Sequence, residues 1–377
     1  MADHKPTHAM DYTFLGMVGV MLLFGFMMLA SASGPMSYVL SKTNDSLYLV
    51  KHQLFFGLIP GLVGLFVMSR IQYQFWKKHA WGFLLVSVGL LILVFIPGIQ
   101  ADFGTSHSWI SIGNLFSLQP AEIVKLTFLF YLAGWLESRG THGVKDFHGG
   151  FLPFICILGV IMFLLILQPD IGTMSIIVAI SMIVYFTAGA RFLHLSGLVA
   201  AGIGLLTFLI TTSKYRQDRL MTLLHPELDP SGAGYHINQA LLALGSGGFF
   251  GLGYGHSRQK FQYLPEVSGD SIFAVIGEEM GFFMAVILLA VFLFFFWRAL
   301  RIARSAPDSF GKYVTIGVAS WILVQAFVNI GSMVGLLPIT GVTLPFISYG
   351  GTSLAVSLAA IGVVLNISKY AGKTAKF

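Results

Sequence analysis

The feature that most constrains this chain is a series of long apolar segments, which recur between Tyr12 and Val364. The strongest of them exceed the roughly 18–20 residues that a helix needs to cross the hydrocarbon core of a bilayer. Charged residues make up only 10% of the 377 residues, whereas a soluble domain carries about 25%. Too few polar side chains are therefore present to cover a water-facing surface, and the sequence predicts an all-α polytopic membrane protein.

Polar breaks divide the apolar segments into about ten predicted transmembrane helices. The predicted spans are residues 12–32, 50–69, 82–99, 119–137, 151–168, 173–190, 193–213, 272–297, 313–336 and 350–368. Lysine and arginine concentrate in alternate loops, which predicts that both termini are cytoplasmic. Residues 214–271 then form a large extracytoplasmic loop between the seventh and eighth helices, and residues 1–377 form a single transmembrane domain.

Charge and cysteine content exclude several other classes of protein. Cys156 is the only cysteine, so the chain can form neither an internal disulfide nor a thiol metal site. The net charge of +6 is scattered and has no interleaved aromatic stripe, which indicates membrane topology rather than nucleic-acid binding. Polar residues 1–10 lead directly into the first span without a cleavage pattern, so that helix is expected to be an uncleaved anchor.

Polar groups inside a membrane protein indicate function because their burial is costly, roughly 2.5–3.5 kcal/mol for a charged residue at a helix centre. Glu122 and Lys125 are three residues apart, so they share one face of the fourth predicted helix. They form either a self-neutralising structural pair or part of a cavity wall. Asp170 precedes the sixth predicted helix, where it either caps that helix or lines the same cavity.

The richest polar segment is 235–281, on the predicted outer side. Its glycines match neither a dinucleotide fingerprint nor a P-loop. Arg258 and Lys260 are cations suited to an anionic ligand, and Glu266 and Asp270 are carboxylates suited to proton transfer. A solvated loop with ordinary surface charges is the alternative interpretation.

Residues 337–354, which include Ser348 and Tyr349, contain two prolines and three glycines that interrupt helicity. Irregular backbone at membrane depth is tolerated only where protein or a water-filled cavity surrounds it. This segment is therefore predicted to be a re-entrant or cavity-lining loop, with a plain turn as the alternative.

Six motifs occur in order along nearly the whole chain. They are DYTFLGMVGVMLLFGFMMLASAS, SLQPAEIVKLTFLFYLA, QPDIGT, GSGGFFGLGYG with QKFQYLPEVSGDSIFAVIGEEMG, LPITGVTLPFISYGGTSL, and GVVLNISKY. Together they resemble the SEDS family of bacterial cell-wall polymerases, which includes FtsW, RodA and SpoVE. The SAS, QPAE and GVVLNISKY segments look most like FtsW or SpoVE.

The resemblance implies a multi-pass enzyme of the bacterial cytoplasmic membrane. It would be an inverting peptidoglycan glycosyltransferase that polymerises lipid II into glycan strands at the outer face, for cell division or cell shape. The family's catalytic carboxylate falls on Asp270 of YLPEVSGD, as general base. The expected substrate-binding residues are Glu122, Lys125, Asp170, Arg258, Lys260, Glu266, Ser348 and Tyr349.

The resemblance also implies partners, chiefly a class B penicillin-binding protein that cross-links the strands, together with other membrane proteins of cell-wall synthesis or the divisome. No nucleic-acid partner is expected. A Mg²⁺ or Mn²⁺ ion would suit a site of carboxylates and phosphates, although no metal-ligand spacing in the sequence demands one.

This chain departs from the family pattern in two places. Ser268-Gly269 replaces the usual His-Thr before Asp270, and His107-Ser108 replaces one or two arginines before Trp109. Two other functions remain as alternatives, a lipid II flippase and a non-catalytic scaffold for a transpeptidase. The polar motifs gather on one predicted face of the membrane, which favours one-sided chemistry over transport across the bilayer.

Overall fold

The structure is a computed structural model, and it describes residues 9–41, 43–98, 100–103, 106–112, 116–212, 217, 221, 223 and 234–371. This part of the chain is mostly helical. Its helices are α1 (Tyr12–Leu40), α2 (Tyr48–Gln53), α3 (Ile59–Arg70), α4 (Tyr73–Lys78), α5 (Ala80–Leu93), α6 (Pro120–Lys145), α7 (Leu152–Leu167), α8 (Ile171–Thr187), α9 (Phe192–Thr211), α10 (Tyr235–Gly247), α11 (Ile272–Arg304), α12 (Ser309–Met333) and α13 (Gly351–Ser368).

Every predicted span overlaps a helix. Six helical segments in the described part of the chain are long and apolar enough to cross a membrane. They are 12–40, 48–70, 147–167, 272–304, 309–333 and 351–368. The second of these is continuous because a π-helical turn, Leu54–Leu58, joins α2 to α3, and another, Phe147–Phe151, precedes α7. Shorter apolar helices cover three further predicted spans, at 80–93, 171–187 and 192–208.

The structure adds a small antiparallel sheet that an all-α fold does not include. Its strands are β1 (Gln100–Phe103), β2 (Ser106–Ile112) and β3 (Phe116–Leu118), in the order β1-β2-β3. Ala101 pairs with Trp109, and Ile110 pairs with Leu118. The sheet lies between α5 and α6 in the chain, in a stretch for which the sequence predicts only a loop.

Part of the predicted 214–271 loop is also helical. Residues 235–247 form α10, whose buried residues Ile237, Ala240, Ala243 and Gly247 recur every three or four positions, as one face of a helix requires. Residues 213–216, 218–220, 222 and 224–233 of this region lie outside the described residues.

The bundle has an enclosed centre and an exposed periphery. In α12 and α13, 72% of the most apolar window is buried inside the protein, against 22% in α11. The central helix α12 packs against α6, α8, α11 and α13. It is therefore the element from which side chains can reach several neighbouring helices at once.

Small residues allow helices and loops to approach closely. Gly61 of α3 lies against α13, where a Cβ at position 61 would be 2.6 Å from Leu358 Cδ1. Gly25 of α1 lies against the backbone of the 344–349 loop, and a Cβ at position 25 would be 2.8 Å from Ile347 Cα. Close packing of this kind is typical of glycines between membrane helices.

Candidate active site

A cavity of about 1370 Å³ lies among the four polar segments that the sequence analysis identified. Polar and apolar residues both line it, and all four of the predicted carboxylates are among them. Its lining includes Glu122, Asp170, Glu266, Asp270 and Tyr349. The apolar lining residues include Phe55, Phe56, Leu206 and Ile210. The fold thus places residues from distant parts of the sequence around one space.

Asp270 lies on the cavity wall just before the first turn of α11, and its side chain is largely buried, with 7% of the residue exposed. The hydroxyl of Ser271 donates a hydrogen bond to Asp270 Oδ1 at 3.3 Å. Asn329 of α12 donates from its side-chain amide to the Asp270 backbone carbonyl at 2.7 Å. The bond from Asn329 therefore fixes the Asp270 backbone, and the residue lines the cavity.

The Glu122–Lys125 pair forms a second part of the wall. Lys125 Nζ lies 2.8 Å from Glu122 Oε1 and donates to Gln325 Oε1 at 2.8 Å. The same ammonium group lies 4.7 Å from the ring centroid of Trp321. Glu122 lines the cavity, but Lys125 is buried behind it. Glu122 Oε2 is a buried oxygen without a hydrogen-bond partner in the described part of the protein.

Asp170 both caps a helix and lines the cavity. Its Oδ1 accepts from the backbone N–H of Thr173 at 3.0 Å, as an N-cap does, and its Oδ2 accepts from Gln119 Nε2 at 3.0 Å. Burial raises the pKa of Asp170 above its ordinary value, and the hydrogen bonds from Thr173 and Gln119 oppose that rise. The two interpretations of this residue are thus compatible.

The 337–349 segment supplies another wall. Tyr349 Oη forms a hydrogen bond with His52 Nδ1 at 2.9 Å, and the Tyr349 backbone N–H donates to the Ser268 carbonyl at 2.8 Å. Burial raises the pKa of Tyr349 to about 12, so its hydroxyl stays protonated at neutral pH. Ser348 does not belong to the lining; it is buried, and its Oγ accepts from the Leu344 N–H at 2.8 Å.

Arg258 and Lys260, the two cations predicted to suit an anionic ligand, are not among the cavity-lining residues. Lys260 is buried and paired with Glu279 at 2.9 Å, and it also donates to Ser31 Oγ at 3.0 Å. Arg258 has an exposed side chain, and its backbone N–H donates to Glu278 Oε1 at 2.9 Å. A buried carboxylate requires a partner. Glu278 and Glu279 of α11 find theirs in the segment that contains Arg258 and Lys260, so this segment packs against α11 and not at the cavity.

The two departures from the family pattern have structural roles here. Ser108 is buried, and its Oγ donates to the Gln168 carbonyl at 3.1 Å, while the adjacent Trp109 lines the cavity. The carbonyl of Ser268 accepts the hydrogen bond from Tyr349, and Gly269 lines the cavity beside Asp270. The side chain of His107 lies outside the described residues.

Sequence analysis did not select four polar residues that contact this site, namely His52, Gln119, Gln325 and Asn329. A signal for the last two was present. Gln325 and Asn329 lie inside the predicted span 313–336 and are four residues apart, so they share one helix face. Polar residues placed in this way inside a span usually face the interior of the bundle.

The charge of the site limits what it can bind. Among the described residues, the cavity lining contains four carboxylates and neither lysine nor arginine. The same part of the chain contains no cluster of three or more His, Cys, Asp or Glu residues arranged to hold a metal ion. The site can accept protons and hydrogen bonds, and an anionic ligand would require a cation from elsewhere.

Comparison with known proteins identifies the family. The family model described as "Cell cycle protein", FtsW/RodA/SpoVE, matches residues 12–373. Stage V sporulation protein E of Bacillus subtilis is 40% identical over 351 residues, which cover 93% of this chain and 94% of that protein. A probable peptidoglycan glycosyltransferase FtsW of Trichlorobacter lovleyi is 39% identical over 366 residues, covering 97% and 95% of the two chains.

Solved structures share the fold. The rod shape determining protein RodA of Thermus thermophilus superposes with a TM-score of 0.70 at 26% identity, over 97% of this chain and 98% of that one. A chain from a peptidoglycan synthase complex, solved to explain how polymerization and crosslinking are coordinated, gives a TM-score of 0.77 at 26% identity, over 97% and 99%. The fold, the ordered motifs and these relatives lead to one conclusion: the chain belongs to the FtsW/RodA/SpoVE family.

Proposed function

We propose that this protein is a peptidoglycan glycosyltransferase that polymerises lipid II at the outer face of the bacterial cytoplasmic membrane, in cell division or cell shape. The observation that carries the proposal is the position of Asp270, which lines the same cavity as Glu122, Asp170 and Tyr349. Relatives at 37–39% identity over most of the chain are named peptidoglycan glycosyltransferases. The cavity is also large enough for a ligand bigger than a single sugar.

The proposed glycosyl transfer requires one carboxylate at the cavity, that of Asp270. Asp270 takes the proton from the acceptor sugar hydroxyl while that oxygen attacks the anomeric carbon of the donor. The bond between the anomeric carbon and the diphosphate oxygen breaks, and the lipid diphosphate leaves with the bonding electrons. A single displacement of this kind inverts the anomeric centre.

The rest of the wall orients the substrate. Glu122 and Tyr349 contribute polar groups to the cavity lining. The apolar wall of Phe55, Phe56, Leu206 and Ile210 suits the start of the polyprenyl chain. A Mg²⁺ or Mn²⁺ ion bound with the diphosphate would neutralise its charge, and the cavity carboxylates are ligands of the type that such ions prefer.

The proposed arrangement in the membrane has ten spans, both termini in the cytoplasm, and the 214–271 region outside, within a single domain over 1–377. The apolar helices and the alternating basic loops support it. The proposed partner is a transpeptidase of the class B penicillin-binding protein type. A structural relative that comes from a peptidoglycan synthase complex supports that proposal.

The decisive experiment compares the wild-type protein with Asp270→Asn. Both are purified in detergent and given lipid II, alone and with a cognate transpeptidase, and glycan strand length is measured. We expect polymer from the wild type and a loss of at least about a hundredfold in the variant, because the base is removed. Equal polymer from both proteins would contradict the catalytic role of Asp270. In a parallel assay with the wild type reconstituted into vesicles, translocation of lipid II without polymer would instead favour a flippase, and no activity in either assay would favour a scaffold.

A further inference from the structure

We propose that Asn329 of α12 is a positioning residue that fixes Asp270 relative to the cavity loop 338–343. This inference rests on the proposed function, because it assigns a role to Asn329 that acts through Asp270. Asn329 is not among the residues that line the cavity, so the proposed role does not involve contact with the substrate.

The geometry of one amide group carries the argument. Asn329 is 1% exposed, and its Nδ2 donates one hydrogen bond to the Asp270 carbonyl at 2.7 Å and another to the Val342 carbonyl at 2.8 Å. Val342 belongs to the loop that forms another part of the wall. A primary amide has two N–H donors, and here each one holds a different wall of the same cavity.

The neighbouring turn of α12 repeats the pattern. Gln325 is also buried, and its Nε2 donates to the Thr343 carbonyl at 2.9 Å. Its Oε1 accepts from Lys125 at 2.8 Å and from Trp321 Nε1 at 2.7 Å. Two side chains on one face of α12 therefore hold the 342–343 backbone, and they connect it to Asp270 on one side and to the Glu122–Lys125 pair on the other.

The surroundings of Asn329 favour a role for its donors. Asn329 Oδ1 is buried without a hydrogen-bond partner in the described part of the chain, and an unpaired buried acceptor is unfavourable for folding. An apolar side chain of similar size would avoid that penalty but would lose both donated bonds. Since α12 is among the most enclosed helices, it provides a rigid base for aligning a reactive group.

The test compares Asn329→Asp with Asn366→Asp. Each change is nearly isosteric and replaces a buried amide by a carboxylate. Asn366 is a matched control because it is 2% exposed and also bridges backbone groups, accepting from the Tyr73 N–H and donating to the Ser69 carbonyl, but it does not line the cavity. Asn329→Ser is a third variant that keeps one donor. Initial rates of lipid II polymerisation are normalised to the folded fraction and measured over a range of lipid II concentrations.

We expect Asn329→Asp to lower kcat by about a hundredfold, since a displacement of about 1 Å can cost that much. Its KM should stay within about threefold of the wild type, because substrate contacts are retained. Asn366→Asp should lose a similar amount of thermal stability with an unchanged kcat, and Asn329→Ser should have an intermediate kcat.

Three results would overturn the inference. They are an unchanged kcat in folded Asn329→Asp, an equal loss of kcat in Asn366→Asp, and a rise in KM at constant kcat. If the wild type polymerises lipid II and Asp270→Asn does not, any of these results rejects the role of Asn329 alone. An inactive wild type with its cognate transpeptidase present would reject the proposed function itself.

Discussion

Two clusters in this protein each pair a buried glutamate with a buried lysine, Glu279 with Lys260 and Glu122 with Lys125, and they differ in whether they reach the cavity. Around Glu279, Lys260 Nζ, Ser31 Oγ and the Gly255 N–H all lie within hydrogen-bonding distance of the carboxylate. At the other cluster, Glu122 faces the cavity, and its Oε2 has no hydrogen-bond partner in the described structure. The Glu279 carboxylate is enclosed by donors and stabilises the fold, whereas Glu122 belongs to the cavity wall, where its charge acts on whatever the cavity holds.

The saturated cluster explains the position of a whole segment. Glu278 accepts from the Ser257 hydroxyl at 2.5 Å and from the Arg258 N–H at 2.9 Å. Together with Glu279 it holds residues 255–260 against the start of α11. This segment precedes Glu266 and Asp270 in the chain and does not line the cavity, so the cluster contributes to the candidate active site only through the fold.

The largest expected effect on stability comes from breaking the saturated cluster. Glu279→Gln leaves Lys260 buried without its anionic partner, which typically costs about 3–5 kcal/mol. We expect a large fall in the thermal unfolding midpoint in detergent and a low yield of folded protein. Lys260→Met combined with Glu279→Gln should recover part of the loss, because no buried charge is then left unpaired. A single variant as stable as the wild type would contradict the structural assignment of this cluster.

A change in the Glu122–Lys125 pair should lower activity as well as stability, because Glu122 lines the cavity. Glu122→Gln keeps the size of the side chain but removes the charge that faces the ligand. Because Glu122→Gln also leaves Lys125 buried without its anionic partner, stability should fall here as well. In addition, we expect polymerisation per folded molecule to fall by about tenfold or more, about 1.4 kcal/mol of transition-state stabilisation. Activity and thermal unfolding are measured on the same preparation. If stability falls as far as in Glu279→Gln while activity per folded molecule is kept, the two clusters are equivalent and the comparison fails.

Asp170 allows the capping role to be separated from the cavity role. Asp170→Asn keeps an oxygen that can cap α8, whereas Asp170→Ala removes the cap and should cost about 1 kcal/mol. Because burial raises the pKa of Asp170, the folded state favours the protonated carboxyl. The stability that this proton contributes is present at low pH and is lost as pH rises through the raised pKa.

The measurement for Asp170 is thermal unfolding at several pH values, beginning near the ordinary Asp pKa and continuing upward. Wild-type stability should decline with pH more steeply than that of Asp170→Asn, which has no such proton to lose. Equal slopes in the two proteins would show that this carboxyl does not change its protonation on folding. A loss of activity in Asp170→Asn at full stability would show that the charge itself is required in the cavity.

The smallest effect is expected at Arg258, which is two residues from Lys260 and carries the same charge. Its side chain is exposed, and its contact with Glu278 uses the backbone N–H, which alanine retains. Arg258→Ala should therefore change stability by no more than about 0.5 kcal/mol, and Lys260→Met is its matched comparison. A large loss of activity in Arg258→Ala would instead support the predicted contact between this side chain and an anionic group of the substrate.

Much of the fold could be predicted because long apolar segments leave helices as the only favourable structure in lipid. Boundaries were less accurate. Helix α1 continues to Leu40 and α11 to Arg304, beyond the predicted ends at 32 and 297, because interfacial and polar residues can extend a helix past the hydrocarbon. The sheet at 100–118 was missed because its strands are short and their side chains give only a weak alternation.

The sequence predicted which acidic residues lie together at the cavity, but it did not predict the partners of the cationic residues. Glu122, Asp170, Glu266 and Asp270 all line the cavity, as expected of carboxylates in an apolar chain, which usually face a cavity or a partner inside the bundle. The partner of a lysine depends on which buried acid the fold brings near it. That choice requires tertiary structure, so the sequence alone could not pair Lys260 with Glu279 rather than with a ligand.

Gly25 illustrates how a mutation at a residue outside the cavity lining can impair the protein. Its hydrogen side chain lets α1 rest on the backbone at Ile347, and the same loop reaches Ser268 through the Tyr349 N–H. An allele that encodes any larger residue at position 25 would displace this loop, whose Tyr349 N–H is bonded to the Ser268 carbonyl near Asp270. A screen for loss-of-function mutants should therefore recover substitutions at Gly25. Second-site suppressors of these substitutions should map to the 344–349 loop rather than to the acidic residues.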